Sequence, residues 1–410
     1  MITSRFTYLN DVHTCKRIVI AGSAPVKPDR PPGAISVNRC AAGLRIHQCE
    51  PGIDDRGLTR RRFVGLLFST FRQRIRINPL RTFRFHRPQG GGVMNLRPFR
   101  FLSILTLTVI TSTTVVTTGA NAELSAQAAP IGWASQNGGT PGGGGAPPIT
   151  VTSASALSSA VSGTAAAVVR VSGTISCSGM LKVGSNKSIL GNAGATIDGC
   201  GLTLSGSKNV VIQNLSFRDW DDDAINIEKA STNVVVDHNT FTNGYDGAVD
   251  IKRASDYITV SWNRVHGHNK SMLLGHSDDN GSQDIGKLRV TYHHNYFDGS
   301  GTRHPRVRFA NPVHVFNNYY RDNEYGVAST CNGGVLVENN HFDNVDEPTL
   351  VGYAGSPAGA LVQRGNLFTG SGSPQASGTV AKIPYSYSLE SASTVKGSVT
   401  AGAGAGKILP

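Results

Sequence analysis

The sequence predicts an all-β chain wound as a right-handed parallel β-helix, a solenoid with a short N-terminal cap helix, and three observations predict it. Beyond Val161 the chain is a succession of short β-branched runs divided by Asn, Asp, Gly and Ser, with few helical periods. The runs are related: VVIQNLSF, VVVDHNTF, ITVSWNRV, VTYHHNYF, VHVFNNYY, VLVENNHF and LVQRGNLF. Their shared asparagine falls at Asn239, Asn263, Asn295, Asn318, Asn340 and Asn366, at spacings of 24, 32, 23, 22 and 26, while the first copy stands one residue out of register. Several short strands per repeat, with insertions in some repeats only, make a stacked solenoid. A leucine-rich repeat would need a leucine lattice that is absent, and a sandwich would give shorter turn spacings without internal similarity.

Taken in order, residues 1–93 read as an upstream extension of no functional meaning, or alternatively as a disordered basic leader. Residues 1–122 hold 19 Lys and Arg against 5 Asp and Glu, and 17 of the 19 are arginine. Met94 opens a secretory signal peptide over 94–122: Arg97 and Arg100 precede an apolar, Thr-rich run from Phe101, and Ala120-Asn121-Ala122 offers a small-x-small cleavage site before Glu123. Many Thr and Ser interrupt that run, which argues against a transmembrane anchor. The chain is therefore expected to be secreted and extracellular, with no membrane association after cleavage. Residues 123–152 form a Gly-rich lead-in, and 153–410 the β-helix domain, in which Leu157 and Val161 at helical spacing mark the cap helix. Residues 123–410 hold 20 basic against 22 acidic residues, so the overall net charge of +12 belongs to the upstream part and a nucleic-acid partner is excluded.

Cys15, Cys40 and Cys49 lie upstream, leaving Cys177, Cys200 and Cys331, which fit no zinc spacing. Cys177 and Cys200 are 23 apart, about one repeat, and stacked coils bring Cα atoms within disulfide reach, so this pair is the expected bridge and Cys331 a buried hydrophobe. The recurring asparagine is structural, bonding along the solenoid axis. His238, His293 and His294 beside it are turn or packing residues, and alternating Val, Ile and Phe are core.

An offset of 24 lays DDAINIEKASTNVVVDHN over DGAVDIKRASDYITVSWN, placing Asp222 on Asp246, Asn226 on Asp250 and Glu228 on Lys252. Asp221, Asp222, Asp223, Asp246 and Asp250 then crowd one side of two coils and repel one another unless a cation sits among them. An all-oxygen donor set suits Ca²⁺ rather than zinc, a solvated acidic face being the alternative. Asp246 and Asp250 meet only if the chain bends between them, which Gly247 permits. Downstream, Lys270, Arg303, Arg306 and Arg308 follow, with Arg306 and Arg308 on one side of a strand. Basic side chains beside a calcium site would grip a polyanion.

The motifs VVVDHNTF, YDGAVDIKRASDYITVSWN and RHPRVRFANPVHVFNNYY occur in the order seen in pectate lyases, and from about residue 131 to 410 the sequence resembles that family. The resemblance implies a secreted enzyme that cleaves polygalacturonate, an anionic plant cell-wall polysaccharide, by β-elimination to 4,5-unsaturated oligogalacturonides. It implies calcium ligands at Asp223, Asp246 and Asp250 with Asp221 as a fourth. The run of three acids makes that match ambiguous by one residue, which keeps Asp222 in play. It also implies a catalytic base at Arg303 and substrate-carboxylate binding at Lys270 and Arg308, to which Arg306 is added for its shared strand face. Competing readings are a pectin lyase acting on methyl-esterified chains, a β-helical glycoside hydrolase, and a non-catalytic polysaccharide-binding β-helix. A capped solenoid needs no partner, so a monomer is expected. The loop LLGHSDDNGSQDIGK accounts for the 32-residue spacing and borders the expected cleft, either as plain surface or as substrate contact.

Overall fold

A computed structural model describes residues 130–408. The upstream extension, the signal peptide, the first residues of the Gly-rich lead-in and the three upstream cysteines lie outside the described residues. Among the described residues no helix is long and apolar enough to cross a membrane.

Each coil contributes one strand to a ten-stranded parallel sheet whose spatial order follows the sequence, from Pro148–Val151 to Ala360–Arg364. Val210, Val234, Ile258 and Val290 stand in register on successive coils, all fully buried. The thirteen-stranded sheet forms two further faces, because its longest strands turn a corner. Thr196–Ser205 pairs through its first half with Ser216–Arg218 and through its second half with Ile225–Glu228. Three sheet faces around one apolar interior make the parallel β-helix that the repeats predict.

The asparagine ladder runs unbroken. Asn239, Asn263, Asn295, Asn318 and Asn340 are fully buried, and each side-chain amide donates to the carbonyl oxygen of the next at 3.0–3.1 Å, ending on Asn366. The residue before each ladder position adopts a left-handed conformation, as at His238, Trp262, His294, Asn317 and Asn339. The first copy is not shifted. Asn214 takes the left-handed position there, where asparagine is tolerated, and Leu215 takes the ladder position, its N–H donating to Asn239 Oδ1 at 3.1 Å.

The three histidines pack. His238 and His294 stack on the two sides of Trp262, and His293 stacks on Phe316. Leu157 and Val161 of the helix Ala154–Val161 enter the core, and Ser153 accepts the N–H of Ala156 as its cap. Cys177 is bridged to Cys200 with Cα atoms 5.2 Å apart, beside a register shift between Ser176 and Gly179, and Cys331 is buried with a free thiol. A helix the sequence reading did not anticipate, Ala392–Gly402, lays Val395 and Val399 against Tyr296 and Tyr319.

Candidate active site

The strands Ile225–Glu228, Val249–Ile251, Leu273–Leu274 and Arg306–Arg308 lie side by side on one face. Ile227, Ile251, Leu274 and Val307 stand in register and point inward. Strand alternation therefore sends Asn226, Asp250 and Arg306 outward, with Asp250 directly beside Asn226 as the offset of 24 requires. The turns leading into these strands supply Asp223, Asp246, Lys270 and Arg303.

Three acids and three cations interlock here. Asp223 Oδ1 accepts the Gly247 N–H at 3.0 Å, and its Oδ2 lies 2.8 Å from Lys252 Nζ. Asp250 Oδ1 accepts the Leu273 N–H at 3.2 Å, while its Oδ2 lies 3.8 Å from both Lys252 Nζ and Arg303 Nη1. Asp246 Oδ1 is 2.9 Å from Arg303 Nη1 and 3.3 Å from Lys270 Nζ. Asp246 and Asp250 thus meet through Arg303, across a turn at Gly247 so tight that a Cβ there would stand 2.0 Å from Asp250 Oδ1.

Burial sets the electrostatics. It pushes the Asp250 carboxyl up to about 7, with Asp223 adding to the shift, and it raises Asp223 in the same way. Burial opposes the Lys252 ammonium, yet Asp250 and Asp223 together hold it above its ordinary value. Among the described residues no three carboxylates, imidazoles or thiols converge on one metal-sized point. The nitrogens of Lys252 and Arg303 stand between the acids instead. Asp221 turns elsewhere, its Oδ2 accepting the Gly179 N–H at 3.1 Å, and among the described residues it forms no ion pair with Lys252, Lys270 or Arg303, the cations that the other three acids share.

Arg303 has a left-handed backbone and is seated by its neighbour His304, which is fully buried. His304 Nδ1 donates to the Tyr325 carbonyl at 2.6 Å and Nε2 accepts from Ser300 Oγ at 2.9 Å. Burial lowers this imidazole to about 3, so it stays neutral and keeps both bonds. Arg306 and Arg308 share the outer face as expected. Arg308 Nε bonds Asp278 Oδ1 at 2.6 Å and Nη1 bonds the Gly275 carbonyl at 2.9 Å, while Arg306 Nη2 bonds Ser356 Oγ at 2.8 Å with its guanidinium 5.1 Å from the Tyr353 ring.

The offset of 24 stacks Lys252 on Glu228, but their charges go elsewhere: Glu228 bonds Lys229 and Arg253, and Lys252 enters the acid cluster. The two-residue period from Asp250 to Lys252 was the available signal. Asp278 and Ser356 lie in aperiodic loops and left no such signal.

A family model described as pectate lyase matches residues 103–408. Among curated relatives, a probable pectate lyase A of Neosartorya fischeri is 40% identical over 287 residues, covering 67% of this chain and 88% of that protein. A pectate trisaccharide-lyase of Bacillus licheniformis is 35% identical over 301 residues, covering 68% and 87% respectively. Among solved structures, a pectate lyase from a Bacillus species in complex with trigalacturonate superposes with a TM-score of 0.62 at 34% identity, covering 68% of this chain and 99% of that one.

Proposed function

The chain belongs to the pectate lyase family of polysaccharide lyases, and from that premise we propose that it is a secreted, monomeric enzyme cleaving polygalacturonate by calcium-dependent β-elimination. The observation that carries the reading is the insertion of Arg303 between Asp246 and Asp250, with Lys270 beside it. One spot thereby holds a candidate base, a carboxylate-binding ammonium and an acid cluster.

The donor chemistry suits a calcium ion: Asp223, Asp246 and Asp250 offer only oxygen, and Lys252 and Arg303, which stand between them, would have to move aside for the carboxylates to converge on it. Burial and the neighbouring Asp223 raise the Asp250 carboxyl, and a further cation beside it would favour its ionised form. Asp223, Asp246 and Asp250 would hold the ion, with Asp221 an outlying fourth. When bound, calcium supplies positive charge to a galacturonate carboxylate and to the enolate-like charge that builds on it.

This chain's own groups do the rest. Lys270, Arg306 and Arg308 bind and orient substrate carboxylates. Arg303, released from the acids and reacting as the neutral guanidine that neighbouring cations and alkaline pH favour, takes the proton from C5, α to the carboxylate. The C5–H electron pair forms the C4–C5 double bond as the C4–O4 bond breaks, and O4 takes up a proton. No water is consumed. His304 and the left-handed backbone fix where Arg303 starts from.

The test is incubation of the chain starting at Glu123 with polygalacturonate, following ultraviolet absorbance with added calcium and then with excess chelator. Absorbance that rises with calcium and stops with chelator is expected. Reducing ends without absorbance would mean hydrolysis. No product from folded protein on either pectate or esterified pectin would leave a binding module. N-terminal sequencing of secreted protein checks the cleavage before Glu123.

A further inference from the structure

The loop that lengthens one repeat to 32 residues reaches back to Arg308, and how it does so suggests more than surface decoration. Arg308 is 9% exposed, and two of its guanidinium nitrogens are taken by that loop, Nε by Asp278 and Nη1 by the Gly275 carbonyl. Gly275 is built for this contact. Its φ is +85°, and a Cβ there would stand 2.8 Å from the Arg308 Cβ. Asp278 Oδ1 also accepts from Ser356 Oγ at 2.9 Å, and Ser356 in turn accepts from Arg306 Nη2 at 2.8 Å. One relay therefore runs from Arg306 through Ser356 to Asp278 and Arg308, joining the strand Arg306–Arg308 to two separate loops. Among the described residues Arg308 Nη2 has no partner.

We propose that Asp278 is a positioning residue, fixing the plane of the Arg308 guanidinium so that Nη2 meets a galacturonate carboxylate already aligned. This rests on the reading of Arg308 as a substrate-carboxylate group. An arginine presents a planar fork, so its orientation decides how a carboxylate is received. Freezing that fork before the ligand arrives removes an ordering cost from binding, and Asp278 does so with a charge-assisted bond at 2.6 Å. Because the carboxylate is held in the ground state and in the transition state alike, loss of Asp278 acts on binding and leaves turnover nearly untouched.

The experiment compares wild type, D278N, R308Q and the double variant, all as the full chain, by calorimetric titration with trigalacturonate and by KM and kcat on polygalacturonate. D278N is expected to weaken trigalacturonate binding and raise KM roughly tenfold, with kcat within about twofold of wild type. In the R308Q background D278N adds nothing further. An unchanged Kd in D278N, a tighter one, or the same fold-loss in both backgrounds overturns the assignment. Thermal unfolding monitors folding. Should D278N fail to fold, S356A cuts the relay one bond earlier, with roughly a two- to threefold loss that again requires Arg308, and a loss independent of Arg308 overturns the proposal. Wild type that binds trigalacturonate without forming an absorbing product would defeat the elimination reading alone, with Asp278 still judged by Kd. Wild type that does not bind it would defeat both.

Discussion

At the proposed calcium site, lowering the pH from 8.5 to 5.5 is expected to weaken calcium binding, through Asp250. Its carboxyl is pushed up to about 7 by burial and by Asp223. At pH 5.5 about 97% of it carries a proton that calcium must displace, so affinity falls roughly 30-fold from its value above pH 8, about 2 kcal/mol. The sign for folding runs the other way. In the unfolded chain this carboxyl titrates near 3.8, so between about pH 4 and 7 the metal-free folded state holds the extra proton. Its stability therefore falls as pH rises through that window, by roughly 4 kcal/mol at most, and levels off above it. Protection by calcium grows in the opposite direction. Titration calorimetry in two buffers of different ionisation enthalpy reads the proton directly, near one released per calcium at pH 6 and near none at pH 8.5. A Kd constant within threefold from pH 5.5 to 8.5, with no proton released, would refute the argument.

Arg303→Lys should lower kcat by about 100-fold in the absorbance assay, since a compact ammonium replaces the fork that faces two acids. Near-full rate with an unchanged pH profile would remove Arg303 as the base. Asn295→Ala should cost about 3 kcal/mol in chemical denaturation, because it strips the acceptor from Asn263 in the buried ladder, and a cost below about 1 kcal/mol would contradict the ladder's role. Gly275→Ala should destabilise by roughly 1–3 kcal/mol and raise KM, since its left-handed backbone and the Arg308 Cβ leave no room for a methyl group. Unchanged unfolding and KM would show that the loop tolerates it.

The parts of the molecule that repeat were legible in the sequence. The offset of 24 put Asp250 beside Asn226 and Asp222 beside Asp246, because a solenoid converts sequence period into spatial neighbourhood. Ladder asparagines and inward valines followed from the same rule. Side chains that leave the period were not legible. Lys252 chose Asp223 over the stacked Glu228 because two buried acids attract it more strongly than one at the margin. The loop around Asp278 has no repeat to be laid over, so nothing in the sequence pairs it with Arg308. The helix Ala392–Gly402 was hidden by Gly and Ser, and its Val395 and Val399 find their stability in tyrosines far back in the chain.

Every side-chain oxygen in the asparagine row faces the earlier coil, and from Asn239 to Asn340 one N–H of each amide reaches the later coil while the other bonds a backbone carbonyl of the coil before. Aligned dipoles reinforce one another, and this row runs the length of six coils inside a low-dielectric wall. The solenoid thereby gains an axial polarity with its negative pole at Asn239 and its positive pole at Asn366, as an α-helix does from its peptide units. Anions are favoured near the late coils and cations near the early ones, and a coil spliced into the middle would have to carry its own asparagine to keep the current of polarisation unbroken.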